Sequence, residues 1–135
     1  MDAQTHYSSK KSDTEEWLQE AVTLSLYYDF YGELLNPRHR QIFEDYILND
    51  FSLGEISDET GLSRQGVYDI VKRSSRKLHE YEEKLHLVAR FQSTRAQVTA
   101  IRDAADRLLE SEAAGEVRKL ADRIREASEQ VLKEL

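Results

Sequence analysis

The chain of 135 residues contains no cysteine and holds only one proline and five glycines. Without cysteine there is no disulfide, no thiolate metal ligand and no cysteine nucleophile. The longest stretch without a charged residue, Ala21 to Tyr28, is far shorter than the ~20 residues of a membrane span. The first residues also lack the apolar core of a signal peptide. We therefore expect a cytoplasmic protein with no membrane-inserted segment.

Acidic side chains outnumber basic ones by 26 to 19, which gives a formal net charge of −7. A uniformly negative surface would repel nucleic acid, because the affinity depends on neutralising phosphates. The charges are uneven, however: residues 63–79 contain five basic side chains and a single acidic one, Asp69. This segment has a charge of +4 within an acidic chain, which predicts one cationic face.

Apolar residues recur at helical spacing and no strand-like alternation occurs, so the sequence predicts an all-α protein. Residues 1–13 are polar and lack a period, which predicts a disordered tail. From Thr14 the apolar stripe covers more than one face of a helix, so it must be buried against two neighbours, or against one neighbour and a second subunit. Its aromatic residues suit a core or a dimer interface better than a ligand pocket. The candidates for a homodimer interface are Trp17, Leu24, Tyr28 and Tyr31.

The C-terminal part of the chain contains two further amphipathic stripes. They are out of register with each other, and Gly115 lies between them. This pattern predicts two helices broken near Gly115. We thus expect a domain over 14–91 and a C-terminal helical arm over 92–135.

Residues 52–78 have the pattern of a helix-turn-helix, in which two short helices cross steeply over a tight turn. Ser52 and Glu55 have the spacing of a capping box. Gly61 suits the turn, and Ser57 is a small side chain where the helices come closest. Two helices that meet by chance over a similar turn are the alternative. The residues expected to form the turn and its core are Ile56, Ser57, Gly61, Leu62, Val67 and Ile70.

This segment resembles region four of bacterial sigma factors, and five ordered motifs resemble the YlxM family of small bacterial helix-turn-helix proteins. The motifs are Tyr28–Tyr31, Leu34–Pro37, Ser52–Ile56, Ser63–Asp69 and Tyr81–Leu85. The resemblance covers about 14–91 and implies a sigma-like helix-turn-helix. It also implies a link to the signal recognition particle pathway. The C-terminal arm departs most from the family pattern.

The second helix of the motif would present its exposed side chains to nucleic acid. Arg64 has the geometry to pair with guanine and Gln65 with adenine, while cations further along would contact phosphates. Tyr68 could stack on an unpaired base or pack at the edge of the motif, and Asp69 weakens duplex reading. Sigma factors commonly have arginine at the positions of Gly66 and Tyr68. The candidate nucleic-acid-binding residues are Arg64, Gln65, Tyr68, Asp69, Lys72, Arg73, Arg76 and Lys77.

Catalysis has little support in the sequence. The four histidines lack metal-ligand spacing, and there is no glycine-rich phosphate loop. We expect no enzyme, no cofactor, no metal and no small-molecule substrate. The first hypothesis is a dimeric nucleic-acid-binding regulator of transcription, with DNA favoured over RNA. The alternative is a non-catalytic adaptor that binds protein or RNA of the signal recognition particle without reading duplex DNA.

Overall fold

A computed structural model of the chain describes the backbone of residues 2–112 and 114–135, and the side chains of 16–112 and 114–135. All regular structure in these ranges is helical, which confirms the all-α prediction. A single 3₁₀ turn, Gly32–Leu34, follows the first helix. The helices are α1 (Asp2–Tyr31), α2 (Pro37–Ile47), α3 (Leu53–Thr60), α4 (Arg64–Leu85), α5 (Leu87–Glu110) and α6 (Gly115–Glu134).

The first helix begins at Asp2, whereas the sequence predicts a disordered tail over 1–13 and a helix only from Thr14. No glycine or proline occurs between residues 2 and 31, so nothing in the chain terminates the helix before Thr14. The backbone of 2–13 thus differs from the prediction. Met1 lies outside the described residues.

The starts of α2 and α3 follow from local side-chain chemistry. The Asn36 side chain accepts a hydrogen bond from the Arg38 amide at 2.9 Å, and Pro37 occupies the first helical position, where no amide hydrogen is needed. Ser52 and Glu55 form a reciprocal capping box at the start of α3. Each of these caps satisfies amide groups that the helix itself leaves unbonded.

The chain divides into two compact units, residues 1–86 and 87–135. In the first unit, α1, α2 and α3 pack around α4, and the core contains large side chains that are at most 2 % exposed, among them Tyr31, Ile42, Phe43, Ile56 and Leu78. The second unit consists of α5 and α6. The first of these ends at Glu110 and the next begins at Gly115, where the sequence predicts a break.

The apolar stripe of α1 is covered largely by its own chain, which corrects the predicted dimer interface. Leu24 and Tyr31 are 4 % and 0 % exposed. The Tyr31 hydroxyl donates to Glu82 of α4 at 2.6 Å, and the half-buried Tyr28 stacks on Phe43 of α2 with ring centroids 5.5 Å apart. Of the four candidates, only Trp17 remains well exposed, because α2 and α4 take the place expected for a second subunit.

Candidate nucleic-acid interface

The helix-turn-helix is formed by α3, the turn at Gly61 and α4. Gly61 has φ of +78°, a left-handed conformation that costs glycine little. The Ser57 hydroxyl donates to the Leu62 carbonyl, so this small residue also closes the turn. Ser63 then caps α4 by accepting from the Gly66 amide at 3.0 Å. Ile56 and Val67 are fully buried between the two helices, and Leu62 and Ile70 are half-buried beside them.

The outward side of α4 carries the predicted binding residues. Val67, Val71, Ser74 and Leu78 are buried on the opposite side. Seven of the eight candidates are exposed polar or charged side chains, and Tyr68 is the single aromatic. We call the five cations of this surface the cationic face: Arg64, Lys72, Arg73, Arg76 and Lys77.

The cationic face is not neutralised by the protein itself. The ion pairs between described side chains join His79 to Glu20, Arg102 to Asp103, and Arg125 to Asp122. No cation of the cationic face lies within 4 Å of a described carboxylate. Asp69, Lys72, Arg73 and Arg76 line a shallow depression of about 180 Å³. Three converging cations around a depression favour an anionic ligand.

Gln65 and Asp69 form a pair within the site. The Gln65 amide donates to the Asp69 carboxylate at 2.9 Å, one helical turn away. The spacing of four residues in the sequence signals this contact. The pair uses one of the two N–H donors of the Gln65 amide and leaves the second donor and the carbonyl oxygen available to a base.

Tyr68 lies on the outward side of α4. Its side chain is 42 % exposed, and the Lys72 ammonium lies 5.8 Å from its ring centroid. This cation–π contact orients the ring beside a positive charge. An aromatic ring next to a cation can stack on a base whose phosphate the cation neutralises.

Arg64 lies against the start of α3. A Cβ built on Gly54 would approach the Arg64 guanidinium to 3.2 Å, so the absence of a side chain at position 54 makes room for the arginine. Sequence reasoning did not assign Gly54 a role beyond the capping motif. The available signal is glycine inside a helix of eight residues, where it costs about 1 kcal/mol relative to alanine.

The first turn of α2 extends the positive surface. The pKa of His39 is lowered by burial and then by the neighbouring charges of Lys77, Arg73 and Arg38. His39 therefore lies near the cationic face, and the residues predicted from the sequence include neither it nor Arg38. A cation such as Arg38 at a helix N-terminus opposes the helix dipole, and that unfavourable placement is the one signal the sequence offers.

Histidine contacts elsewhere in the first unit are structural. His79 hydrogen-bonds Glu20 at 2.7 Å and packs edge-on against Tyr27, with ring centroids 5.2 Å apart. Among the described residues, no three histidine or carboxylate side chains are grouped as a metal site would require. None of the described helices has the length and apolarity to span a bilayer.

The fold and the exposed second helix of the motif define a helix-turn-helix protein. Residues 18–117 match the model of the UPF0122 family, described as "Putative helix-turn-helix protein, YlxM / p13 like". The chain belongs to this family, and the resemblance inferred from the five motifs is confirmed. The match reaches residue 117 and so includes α5, which the motif resemblance left out.

Relatives of known sequence carry the same family name. A UPF0122 protein of Thermoanaerobacter sp. (strain X514) is 46% identical over 101 residues, which cover 75% of this chain and 86% of the relative. One from Caldanaerobacter subterraneus subsp. tengcongensis is 51% identical over 80 residues, which cover 59% of this chain and 68% of the relative. One from Halalkalibacterium halodurans is 41% identical over 95 residues, which cover 70% of this chain and 87% of the relative. No solved structure matches the chain significantly.

Proposed function

We propose that the protein is a cytoplasmic regulator that binds nucleic acid, duplex DNA in preference to RNA, through the outward side of α4. The observation that supports this most is the cationic face itself, which remains free of internal ion pairs on an acidic unit. Residues 1–86 contain 17 acidic and 10 basic side chains. Unpaired cations grouped on an acidic unit raise the local concentration of anions and so favour an anionic ligand.

Phosphate contacts belong to the distal part of the cationic face and to α2. Lys72, Arg73, Arg76 and Lys77 are exposed along α4, and His39 of α2 lies where the charges of Lys77, Arg73 and Arg38 act on it. Contacts from two elements to one strand would fix the register of α4 on the duplex, without reading sequence.

Base contacts belong to the first turns of α4. Arg64 is held against Gly54, which limits the conformations it must lose when it pairs with guanine. Asp69 can accept from a cytosine amine through the carboxylate oxygen that Gln65 does not use. Each such pair is worth ~1–3 kcal/mol of discrimination between bases.

A second function is favoured by Tyr68. Its exposed ring beside Lys72 suits an unpaired base better than a duplex edge, and the paired Asp69 opposes phosphate. The protein would then be a non-catalytic adaptor in the signal recognition particle pathway, as the family resemblance implies. In that case the target is particle RNA or protein.

Fluorescence anisotropy across a salt titration distinguishes the two functions. We compare a fluorescent DNA duplex with a hairpin of signal recognition particle RNA. The variant Arg73→Ala/Lys77→Ala should weaken duplex binding and reduce the slope of log K against log salt by ~0.9 per charge removed. Lys84→Ala/Lys119→Ala removes the same charge away from the cationic face and serves as the matched control.

Equal losses in the two double variants would contradict a role for the cationic face. If the duplex is not bound at low salt while particle RNA is retained, the adaptor function replaces the regulator. Tyr68→Ala should then weaken RNA binding, because the ring that stacks on an unpaired base is lost. Tyr68→Phe retains the ring and should bind RNA as the wild type does.

A further inference from the structure

The second unit exposes a row of large aliphatic side chains. Six of them are between 39 % and 55 % exposed. Isolated exposed apolar residues are normal, but a contiguous group marks a surface that another molecule covers. We call this group the aliphatic face: Ile101 and Leu108 of α5, and Val117, Leu120, Ile124 and Val131 of α6.

The two rows lie on one side of the α5–α6 hairpin. Successive residues of a helix are rotated by about 100°. By this rotation, Ile101 and Leu108 lie to one side of the buried Ala105 on α5. The aliphatic residues of α6 lie on the same rotational side of the buried Ala121. When two antiparallel helices face each other, residues rotated in the same direction away from the contact line on each helix lie on the same side of the pair. The six side chains therefore form a single surface.

The hairpin cannot bury this surface by itself. Beyond the first turn of α5, the buried positions of the unit are Ala105, Ala121 and Ser128. The Arg118 guanidinium ties the turn by donating to the Leu109 carbonyl at 2.9 Å. The fully buried positions between the helices are thus small residues, and the six large residues of the aliphatic face remain exposed.

The spacing of the exposed residues suits helix-on-helix packing. Ile101 and Leu108 are seven residues apart, as are Val117, Ile124 and Val131 in sequence order. A seven-residue repeat keeps an apolar row facing a partner helix in left-handed bundles. A hairpin with such rows on both helices matches another two-helix surface.

The charge of the second unit favours a second copy of the same hairpin as the partner. Residues 87–135 contain nine acidic and nine basic side chains, so the unit is neutral, and the entire −7 of the chain resides in the first unit. Two copies can therefore meet through their hairpins without net repulsion. Contact through the exposed Trp17 and Val22 of α1 would instead bring together two acidic units, with Glu16 and Glu20 close by.

The size of the surface is consistent with this partner. A stable interface buries ~800 Å² per partner, and six aliphatic side chains that are each 39–55 % exposed would supply its apolar centre. In α6 the exposed positions between the aliphatic residues on this side include Ala127, which permits close approach.

We propose that the protein is a homodimer in which the aliphatic faces of two α5–α6 hairpins pack against each other as a four-helix bundle. The interface lies in the C-terminal hairpin and not on α1. This inference is independent of what the cationic face binds.

Sedimentation equilibrium of the full chain tests the proposal. The wild type should have twice the 15.7 kDa chain mass, and Leu120→Glu/Ile124→Glu should have the mass of one chain. The matched control, Trp17→Glu/Val22→Glu, places two charges on exposed apolar positions of α1 and should remain dimeric. Circular dichroism at 222 nm verifies that each variant keeps its helices.

A wild-type monomer, or a dimer that persists in Leu120→Glu/Ile124→Glu, would overturn the proposal. Dissociation by the Trp17→Glu/Val22→Glu control alone would move the interface to α1. A second measurement uses the lack of native cysteine: Leu120→Cys should form a covalent dimer with a short bis-maleimide, and Gln130→Cys, an exposed residue on another side of α6, should not.

Discussion

The two units bury and expose opposite kinds of side chain. The first encloses large residues such as Tyr31 and Phe43 and presents the cationic face to solvent. The second encloses alanine and serine between its helices and presents leucine, isoleucine and valine. The first unit has a sufficient core of its own and a polar surface for a ligand. In the second unit, the aliphatic face would be buried only by the second copy that we propose as its partner.

The largest difference between the units is expected when a large apolar side chain of each is shortened to alanine and the free energy of unfolding is compared. Phe43→Ala removes a fully buried ring that stacks on Tyr28 and should lower the free energy of unfolding by ~3–5 kcal/mol. Leu120→Ala, at a position 55 % exposed, should cost under ~1 kcal/mol in dilute solution. Urea denaturation followed by circular dichroism measures both. Similar losses would contradict the difference between the cores.

A glycine substitution in each unit gives the next largest contrast. A Cβ on Gly32 would lie 2.9 Å from the Tyr28 ring, whereas nothing lies within 4 Å of one on Gly115. Gly32→Ala should therefore destabilise by ~1–3 kcal/mol through overpacking, and Gly115→Ala should be neutral or slightly stabilising. Thermal melts compare them. A neutral Gly32→Ala would show that the Tyr28 ring moves freely.

A smaller effect concerns pH and the first unit alone. The pKa of His39 is lowered in the folded state by burial and by Lys77, Arg73 and Arg38, so the unfolded chain binds the proton more tightly. The free energy of unfolding should then fall as the pH drops below about 6.5, the unperturbed value. The fall should level off below the lowered pKa. In His39→Asn, this contribution to the fall in the free energy of unfolding at acid pH should be absent. Urea titrations at several pH values measure it.

Binding should reverse the shift of His39. A phosphate placed between α2 and α4 would raise the His39 pKa, so duplex binding should take up a proton and strengthen modestly as the pH falls below 6.5. NMR titration of the His39 ring with and without duplex measures this directly. An unchanged pKa would remove α2 from the phosphate contacts.

The smallest expected effect is in the core face of α4. The Ser74 hydroxyl is buried and has no hydrogen-bond partner among the described residues. Ser74→Ala breaks no hydrogen bond and removes a buried polar group that has none. The free energy of unfolding should therefore stay unchanged or rise by up to ~1 kcal/mol. Ser57→Ala is the contrasting variant, since its hydroxyl donates to Leu62 and its loss should destabilise. A loss of stability in Ser74→Ala would indicate a partner such as a buried water.

Local features of the fold could be predicted from the sequence because neighbouring residues determine them. The cap at Asn36-Pro37, the Ser52–Glu55 capping box and the left-handed Gly61 depend on a few consecutive positions. The register change at Gly115 likewise separates α5 from α6. Such signals also identified the side of α4 that is exposed.

Tertiary features could not be predicted in the same way. Leu24 and Tyr31 fit a dimer interface until the positions of α2 and α4 show that they are covered within the chain. The contact of Arg64 with Gly54, and the approach of His39 to Lys77, join residues on different helices. No spacing along the chain encodes which helix covers another.

NMR mapping of the amide signals during titration with a DNA duplex tests whether nucleic acid binds the outward side of α4. The shifted signals should cluster at residues 64–77, with a second group at Arg38 and His39. Signals of residues 98–131 should not move. Shifts confined to α5 and α6, or no shifts at low salt with either duplex or particle RNA, would contradict the claim.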